Sequence, residues 1–188
     1  MGIVLASGSP RRRELLNLIG LEGFRVITDG SVEEVPPGLT PEQTVSEIAR
    51  QKAKNVSHYC DDNDIIIAAD TLVYLDGRPM GKPESPSDAK AMLRELSGRR
   101  HTVYTGVVIL KGGKIVSDVV ATDVFFRAVS DSEISAYVKS GEPMDKAGAY
   151  GAQGLGSVFV ERIEGEFFNV MGLPLCRLSM MLKEFKVL

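Results

Sequence analysis

The sequence has few of the residues and segments that mark several classes of protein. It contains two cysteines, Cys60 and Cys176, and two histidines, His58 and His101, and neither pair has the spacing of a metal-binding motif. Cysteines this far apart are typical of free thiols in a reducing compartment, so we expect a cytoplasmic protein. No apolar stretch approaches the ~20 residues that a membrane span needs, and the N-terminus lacks the basic segment of a signal peptide. We therefore expect no membrane association.

The net charge and the length of the chain limit which ligands and which domain organisation are expected. A net charge of −3 argues against general binding of nucleic acid, so an anion site would have to be a local cluster of cations. The chain has 188 residues, of which 44% are hydrophobic and 25% charged, the balance of an ordinary globular protein. It shows no internal repeat. This length suits a single domain over residues 1–188, or two small lobes.

Strand-like and helix-like segments alternate along the chain, which predicts an α/β fold. The predicted strands lie at residues 3–6, 24–27, 64–69, 72–75, 101–110, 115–127 and 157–163, of which 101–110 and 115–127 form a long hairpin. The predicted helices are marked by caps and a 3.6-residue apolar period, and they start near residues 10, 41, 86, 131 and 174. In the first helix, Ser9 is the expected N-cap, and the expected buried residues are Leu15, Leu16, Leu18 and Ile19. Long loops at residues 28–40 and 141–156 are where functional residues should concentrate.

Three arginines occupy a helix N-terminus, where positive charge is locally unfavourable. Arg11, Arg12 and Arg13 follow Ser9 and Pro10, yet the helix dipole favours acidic residues at this end. An anion bound over the helix start would explain them, because backbone N–H groups and guanidinium groups would both reach it. The alternative is a solvated basic turn.

Two further charged residues stand where function is expected. Lys52 falls on the apolar stripe of the second helix, so it either reaches the rim of the core or points into a binding site. Asp70 directly follows the strongest predicted strand, at the end where α/β sheets bind ligands. Its structural alternative is an aspartate that caps the next turn.

The long loops add more candidates. Glu33 and Glu34 lie in the first loop, where a charged run is usually only solvated. Lys82 stands between a glycine and a proline and by itself indicates a turn. Four glycines near Gln153 suggest a backbone held close to a ligand, although flexible loop glycines are the alternative. Together, separated cations and carboxylates are what a metal–polyphosphate site needs.

The chain resembles the Maf nucleotide pyrophosphatases, and the resemblance covers its whole length. The matching segments are Ala6–Arg12, Gln51–Ala53, Ala69–Thr71, Gly81–Pro83, Leu96–Gly98, Gly141–Pro143, Asp145–Gly151 and Gly172–Pro174. Ala152 and Met171 depart from the common isoleucine and valine, and neither change removes a polar group. The resemblance implies a two-lobed mixed-sheet α/β fold with a deep central cleft, similar to the inosine triphosphate pyrophosphatases, and a homodimer.

The resemblance also implies an activity and a set of site residues. Nucleoside triphosphates would be cut between the α- and β-phosphates, with Mg²⁺ or Mn²⁺ as the cofactor. The subgroup acting on dTTP and UTP is marked by an arginine, a threonine and a glutamine, which here are Arg11, Thr71 and Gln153. Asp70 would serve as general base or metal ligand, and Glu34, or less favourably Glu33, would complete the metal site. The substrate-binding residues would be Ser7, Arg11, Arg12, Lys52, Thr71, Lys82, Lys146 and Gln153.

Two alternatives to this function stay open at the level of sequence. One is a non-catalytic nucleotide-binding regulator of cell division and septum formation, which would bind nucleotides without turnover. The other is an enzyme that acts on modified pyrimidine nucleotides. It would share the catalytic residues and differ only in what its base pocket admits.

Overall fold

The computed structural model of the protein describes residues 2–187, in which strands and helices alternate as predicted. The β-strands of these residues are β1 (Ile3–Leu5), β2 (Arg25–Val26), β3 (Ile65–Leu75), β4 (Arg78–Met80), β5 (Arg100–Lys111), β6 (Lys114–Phe126) and β7 (Val160–Glu164). The α-helices are α1 (Pro10–Leu18), α2 (Pro41–Ser57), α3 (Pro86–Leu96), α4 (Asp131–Lys139), α5 (Phe167–Val170) and α6 (Leu175–Lys183). Short 3-10 helices cover Glu142–Asp145, Ala147–Ala149 and Leu155–Phe159. No helix within residues 2–187 has both the length and the apolar character needed to cross a membrane.

The strands form a mixed sheet, which confirms the predicted α/β class. Their order is β2-β1-β3-β5-β6-β7, with β4 paired to β3. β1 pairs in parallel with both β2 and β3, whereas the β3–β4 and β6–β7 pairs are antiparallel. β1 and β3 are apolar and buried, as strands covered on both faces should be.

The chain divides into two compact units. The first unit is the described part of Met1–Thr71, Thr105–Val120 and Gly172–Leu188. Its core joins α2 to the sheet through small residues such as Ala49 and Ala53, which are fully buried. Gly106 of β5 allows the closest approach, because a Cβ atom there would lie 2.4 Å from the carbonyl oxygen of Val45 in α2. Helix and strand therefore pack backbone against backbone in this unit.

The second unit is Leu72–Tyr104 and Ala121–Met171. Its core contains Val73 and Leu75 of β3, the apolar face of α3, and the aromatic rings of Phe126 and Phe159. The predicted capping box at the start of α4 is confirmed, since Ser130 and Glu133 each bind the other's backbone N–H group. The prediction of one domain with two lobes around a cleft stays a prediction.

Several local expectations differ from the structure. Residues 64–69 and 72–75 were expected to be two strands but form the single strand β3, because buried residues continue through Leu75. Leu18 is 65% exposed rather than buried, and Ser9 makes no side-chain capping hydrogen bond. The last strand starts at Val160, since the preceding residues form a 3-10 helix. The 141–156 loop likewise contains 3-10 turns.

His101 generates a prediction about pH and stability. Its ring is 2% exposed, Nε2 lies 2.7 Å from the Tyr150 hydroxyl, and Nδ1 has no partner within residues 2–187. Burial lowers the pKa of His101 to about 4, and Asp123 opposes this effect. The folded state therefore favours the neutral ring. Its contribution to stability is complete above the unfolded pKa near 6.5 and is lost as pH falls toward 4, by roughly 3 kcal/mol.

Replacement of this histidine should isolate the effect. His101→Phe should be less stable than wild type at pH 7, because the Tyr150 hydroxyl loses its partner. Its stability should then fall less than that of wild type between pH 6.5 and 4. Urea unfolding of both proteins across this pH range measures the difference, and parallel pH profiles would contradict the prediction.

Candidate active site

The C-terminal end of β1 is the place in the sheet where a ligand site is expected from the strand order. The chain passes from β1 to β2 on one side and returns to β3 on the other, so the strand order reverses at β1. Open α/β sheets bind ligands at such a point, beyond the carboxyl ends of the parallel strands. β3 continues past the end of β1, which pairs with it only up to Leu5 and Ile67. This extension carries Asp70 and Thr71 beyond the parallel part of the sheet.

An ammonium group joins two carboxylates in the first unit. Lys52 Nζ lies 2.6 Å from Asp70 Oδ1 and 3.4 Å from Glu33 Oε1. The side chain of Lys52 extends from α2 to Asp70 of β3 and is 24% exposed. The residue therefore points into a polar site rather than out into solvent. The ammonium of Lys52 is therefore paired within the protein, and a role in ligand binding stays a prediction.

The acidic loop is fastened to α2 by one glutamine. Gln51 Nε2 donates to the backbone carbonyl of Glu34 at 2.8 Å, and its Oε1 accepts from the Glu34 backbone N–H at 3.1 Å. This pair of bonds fixes the backbone at Glu34, which is exposed, and turns the side chain of the preceding Glu33 toward Lys52. The structure thus brings Glu33 to the Asp70–Lys52 pair, whereas the sequence favoured Glu34.

The carboxylates of Asp70 and Glu33 fit a divalent cation that is also bound by a substrate. No group of three or more His, Cys, Asp or Glu residues that could hold a metal ion occurs within the described chain. Asp70 and Glu33 nevertheless present carboxylate oxygens around one cationic group. Mg²⁺ is commonly bound by one or two carboxylates, with water and substrate phosphates completing its shell. The residues present match that arrangement.

Arg12 is the most constrained charged residue of the candidate site. It is 9% exposed, and its guanidinium donates to three oxygens from three chain segments. Nε donates to the carbonyl of Gly172 at 2.7 Å, Nη1 to Ser7 Oγ at 3.0 Å and Nη2 to Thr71 Oγ1 at 3.0 Å. Burial lowers the pKa of Arg12, while Asp70 raises it and Arg11 lowers it further. The side chain therefore organises the site from within.

Ser7, Thr71 and Gly172 are held in place by this arginine. Ser7 Oγ also accepts from the backbone N–H of Ser9 at 3.3 Å, and Thr71 Oγ1 lies 2.9 Å from Thr105 Oγ1. Gly172 has φ +104°, and a Cβ atom there would lie 3.3 Å from Thr71 Oγ1. Only glycine adopts this backbone conformation without strain and leaves room for the threonine.

The other two arginines of the cluster are more accessible. Arg11 is half-buried and Arg13 is exposed, with Arg13 Nη2 only 3.5 Å from the carbonyl of Gly8. The first N–H groups of α1, next to Arg11, have no partner within the helix by its geometry. Arg11 and Arg13 are therefore less enclosed than Arg12, and which of the three meets a ligand stays a prediction.

Three predicted site residues belong to the second unit. Lys82 is exposed, and the turn that carries it is tied to the 3-10 segment by a hydrogen bond from Gly148 N to Gly81 O at 3.0 Å. Lys146 Nζ donates to the Glu142 carbonyl at 2.5 Å and to Asp145 Oδ1 at 2.7 Å. Gln153 is exposed. Within this unit, the structure connects Lys146 to the backbone rather than leaving its ammonium in solvent.

Sequence reasoning missed several residues that shape the site. Thr105 of β5 is fully buried beside Thr71, and Gln51 fastens the acidic loop. Glu142 and Tyr137 contact the loop around Gln153. Gln51 precedes Lys52 in a matching segment, and this adjacency is the one signal that pointed to it. A threonine inside an apolar strand, such as Thr105, gave a weak signal of the same kind.

The chain is similar to known proteins over nearly all of its length. Residues 2–185 match the family model described as Maf-like protein. A protein of Pelotomaculum thermopropionicum named dTTP/UTP pyrophosphatase is 48% identical over 185 residues, covering 97% of this chain and 96% of that protein. A protein of the same name from Bacillus cereus strain AH187 is 45% identical, covering 98% and 96%. The solved structure of a HAM1 protein from Coxiella burnetii has a TM-score of 0.50 at 17% identity, covering 98% of this chain and 99% of that one, and shows a shared fold.

Adjacent arginines give a matched pair for testing the buried network. Arg12→Lys should lower the free energy of unfolding by about 3 kcal/mol, because one ammonium cannot bind three oxygens in the directions of a guanidinium. Arg11→Lys should change it by less than about 0.5 kcal/mol, since that side chain is half-exposed. Urea unfolding measures both. Equal stabilities of the two variants would show that the network does not hold the site together.

Proposed function

The chain belongs to the Maf family, and on that premise we propose that it hydrolyses dTTP and UTP to the nucleoside monophosphate and pyrophosphate. The observation that carries the proposal is the group formed by Lys52, Asp70 and Glu33, which combines carboxylates and a cation beside the strand-order reversal. Relatives of nearly equal length that are named dTTP/UTP pyrophosphatase support it. So does the presence of the subgroup markers Arg11, Thr71 and Gln153.

The reaction joins one water molecule to the α-phosphorus. The water oxygen forms a bond to this phosphorus, and the bond from the α-phosphorus to the oxygen that bridges to the β-phosphate breaks. Pyrophosphate leaves with the electrons of that bond. Asp70 is the proposed acceptor of the water proton, because its carboxylate lies on β3 just beyond the part that pairs in parallel with β1.

Cations of the chain would offset the charge of the triphosphate. Lys52 already lies at the carboxylate pair, and Arg11 and Lys82 are accessible. Their proposed role is to bind phosphate oxygens and to stabilise the negative charge that develops on the leaving pyrophosphate. Ser7 and Arg12, also predicted to bind substrate, are engaged with protein groups of the first unit, so their proposed contribution is to shape the phosphate site there. Lys146, likewise predicted, bonds to the backbone at Glu142 within the second unit.

A divalent metal, Mg²⁺ or Mn²⁺, is part of the proposal. Asp70 and Glu33 would hold it, with Glu34 as the alternative second carboxylate. When bound, such an ion makes the phosphorus more electrophilic and water more acidic. Two carboxylates together with phosphate oxygens of the substrate would satisfy its preference for oxygen ligands.

Base recognition is assigned to Gln153. A primary amide carries both a hydrogen-bond donor and an acceptor, which match the imide edge of thymine or uracil. Gln153 is exposed in the second unit, as a residue that receives a ligand should be. Pyrimidine nucleotides with modified bases that keep the imide edge are candidate substrates on the same grounds. The homodimer implied by the family resemblance stays a prediction.

Substitution of the proposed base tests the activity. Asp70→Asn should lower kcat for dTTP by about 10²–10³, because the amide neither accepts the water proton nor binds the metal as an anion. Asp62→Asn, which alters an exposed aspartate before the same strand, should stay near wild type. Pyrophosphate release with Mg²⁺ or Mn²⁺ measures both. Near-full activity of Asp70→Asn would refute the assignment, and nucleotide binding without turnover by the wild type would favour the non-catalytic regulator.

The two loop glutamates form a second matched pair. Glu33→Gln should raise the Mg²⁺ concentration for half-maximal rate roughly tenfold, because one of two proposed carboxylate ligands is lost. Glu34→Gln should leave it within about twofold, since the backbone rather than the side chain of Glu34 is held by Gln51. Metal titrations at saturating dTTP measure both variants. The reverse ranking would assign the metal to Glu34.

A further inference from the structure

One carboxylate in the second unit collects three hydrogen bonds from the loop and helix around it. Glu142 Oε1 accepts from the Tyr137 hydroxyl at 3.0 Å and from Gly156 N at 3.1 Å, and Oε2 accepts from Leu155 N at 2.9 Å. Leu155 N and Gly156 N begin the 3-10 helix that follows Gln153 by two residues. The carboxylate therefore caps the start of that helix from a distant point in the sequence.

Tyr137 extends the same contact to the other side of Gln153. Its hydroxyl accepts from Gly151 N at 3.2 Å while donating to Glu142. The ring lies edge-on to Phe159, with the ring centroids 5.1 Å apart, and is 5% exposed. A rigid side chain of α4 thus holds the chain two residues before Gln153. Bonds on both flanks leave Gln153 at the exposed tip of a loop that is fixed at its base.

The glycines near Gln153 fit against this pair of side chains. A Cβ atom at Gly154 would lie 2.9 Å from Glu142 Oε2, and one at Gly156 would lie 2.7 Å from the Tyr137 hydroxyl. Gly154 also has φ +100° and ψ −153°, a region open essentially only to glycine. The sequence suggested that these glycines bring the backbone close to a ligand. The structure shows that they bring it close to Glu142 and Tyr137.

Lys146 binds the backbone of Glu142 and so supports the same segment. Its ammonium donates to the backbone carbonyl of Glu142 and to Asp145, and its side chain is 12% exposed. Although partial burial raises the pKa of Glu142, hydrogen bonds from Leu155, Gly156 and Tyr137 and the charge of Lys146 lower it overall. The carboxylate is therefore an anion at neutral pH, which strengthens each bond that it accepts.

We propose that Glu142, together with Tyr137, is a positioning residue that fixes the Gly151–Gly156 loop and thereby orients Gln153 for recognition of the base. The inference rests on the proposed function, since it assigns selectivity to Gln153. Glu142 itself contacts the loop backbone and not the substrate. Its effect must therefore pass through Gln153, and this distinguishes positioning from a general contribution to folding.

Glu142→Gln is the variant that disturbs the loop with the least change of shape. The amide has one acceptor oxygen, so its NH₂ group must face a backbone N–H of Leu155 or Gly156. Glu133→Gln is the matched control, because Glu133 is another carboxylate of the same unit that accepts a backbone N–H, from Ser130, at the start of α4. Both changes remove one charge from a capping carboxylate. Only Glu142 bonds to residues of the Gly151–Gly156 loop, whereas Glu133 bonds to Ser130 and to Arg127, whose Nε donates to Val158 O beyond that loop.

The first measurement needs no substrate and tests the loop itself. Hydrogen exchange of residues 151–157 in the free protein should become about tenfold faster in Glu142→Gln and stay unchanged in Glu133→Gln. Unchanged exchange in Glu142→Gln would overturn the proposal. If Glu142→Gln fails to fold, Tyr137→Phe replaces it. That variant keeps the carboxylate with both of its backbone bonds and removes the hydroxyl that accepts from Gly151 N and donates to Glu142. Protection should therefore be lost before Gln153 and kept after it.

The second measurement tests the effect on selectivity. The ratio of kcat/KM for dTTP to that for dCTP, which lacks the imide edge, should fall about tenfold in Glu142→Gln and stay at the wild-type value in Glu133→Gln. In a Gln153→Ala background, Glu142→Gln should change this ratio less than about twofold, because the residue through which it acts is gone. An equal loss of selectivity in both backgrounds would show that Glu142 acts independently of Gln153 and would overturn the proposal.

The two measurements separate this proposal from the proposed function. If the wild type releases no pyrophosphate from dTTP or UTP, the function is wrong, and the exchange experiment still decides whether Glu142 fixes the loop. If the wild type is active and selective while Glu142→Gln keeps its selectivity, the function stands and the positioning role is refuted.

Discussion

The candidate site depends on a buried guanidinium that, within residues 2–187, donates to hydroxyl and carbonyl oxygens and to no carboxylate. Arg12 is held by the carbonyl of Gly172 and by the hydroxyls of Ser7 and Thr71. These three oxygens come from the end of β1, from β3 and from the segment before α6, so one side chain fixes the relative positions of three parts of the first unit. A guanidinium suits this task because its donors are rigid and point in several directions. Moving any of the three segments would leave a buried charge without its hydrogen bonds, which is costly.

The hydrogen bonds of Arg12 explain why Asp70 and Thr71, which are neighbours in β3, have different partners. Side chains alternate along a strand, so Asp70 and Thr71 point to opposite sides of the chain. Asp70 meets Lys52 of α2, whereas Thr71 meets Arg12 of α1. The carboxylate is thereby left beside a charged, half-exposed group where chemistry is proposed, and the hydroxyl lies in the buried frame. If Thr71 marks the substrate subgroup as proposed, it would act by setting the position of the arginine helix rather than by contacting the base.

Much of this arrangement was predictable from local sequence. The apolar period of α2, the capping box of α4 and the buried first half of β3 all follow from side-chain chemistry within a few residues, whereas the continuation of β3 through Leu75 was not predicted. The pairing of Arg12 with Gly172 joins residues 160 positions apart, and no local pattern specifies it. The same holds for Glu142, whose carboxylate reaches Gly156 across 14 residues. The glycines near Gln153 indicated that the backbone there lies close to another group, but only the fold shows that this group is Glu142 with Tyr137.

The burial of Arg12 also changes the meaning of the arginine cluster. Three cations at the positive end of a helix suggested an anion site with Arg11 and Arg12 as phosphate ligands, yet Arg12 donates three hydrogen bonds to groups of the protein. Its charge still acts at a distance: burial makes the guanidinium costly to keep ionised, and the field of Asp70 offsets part of this cost. A triphosphate bound near the start of α1 would offset more, because an anion stabilises a buried cation without touching it. Arg12 would then favour phosphate binding electrostatically while holding the frame, and Arg11 would supply the direct contact.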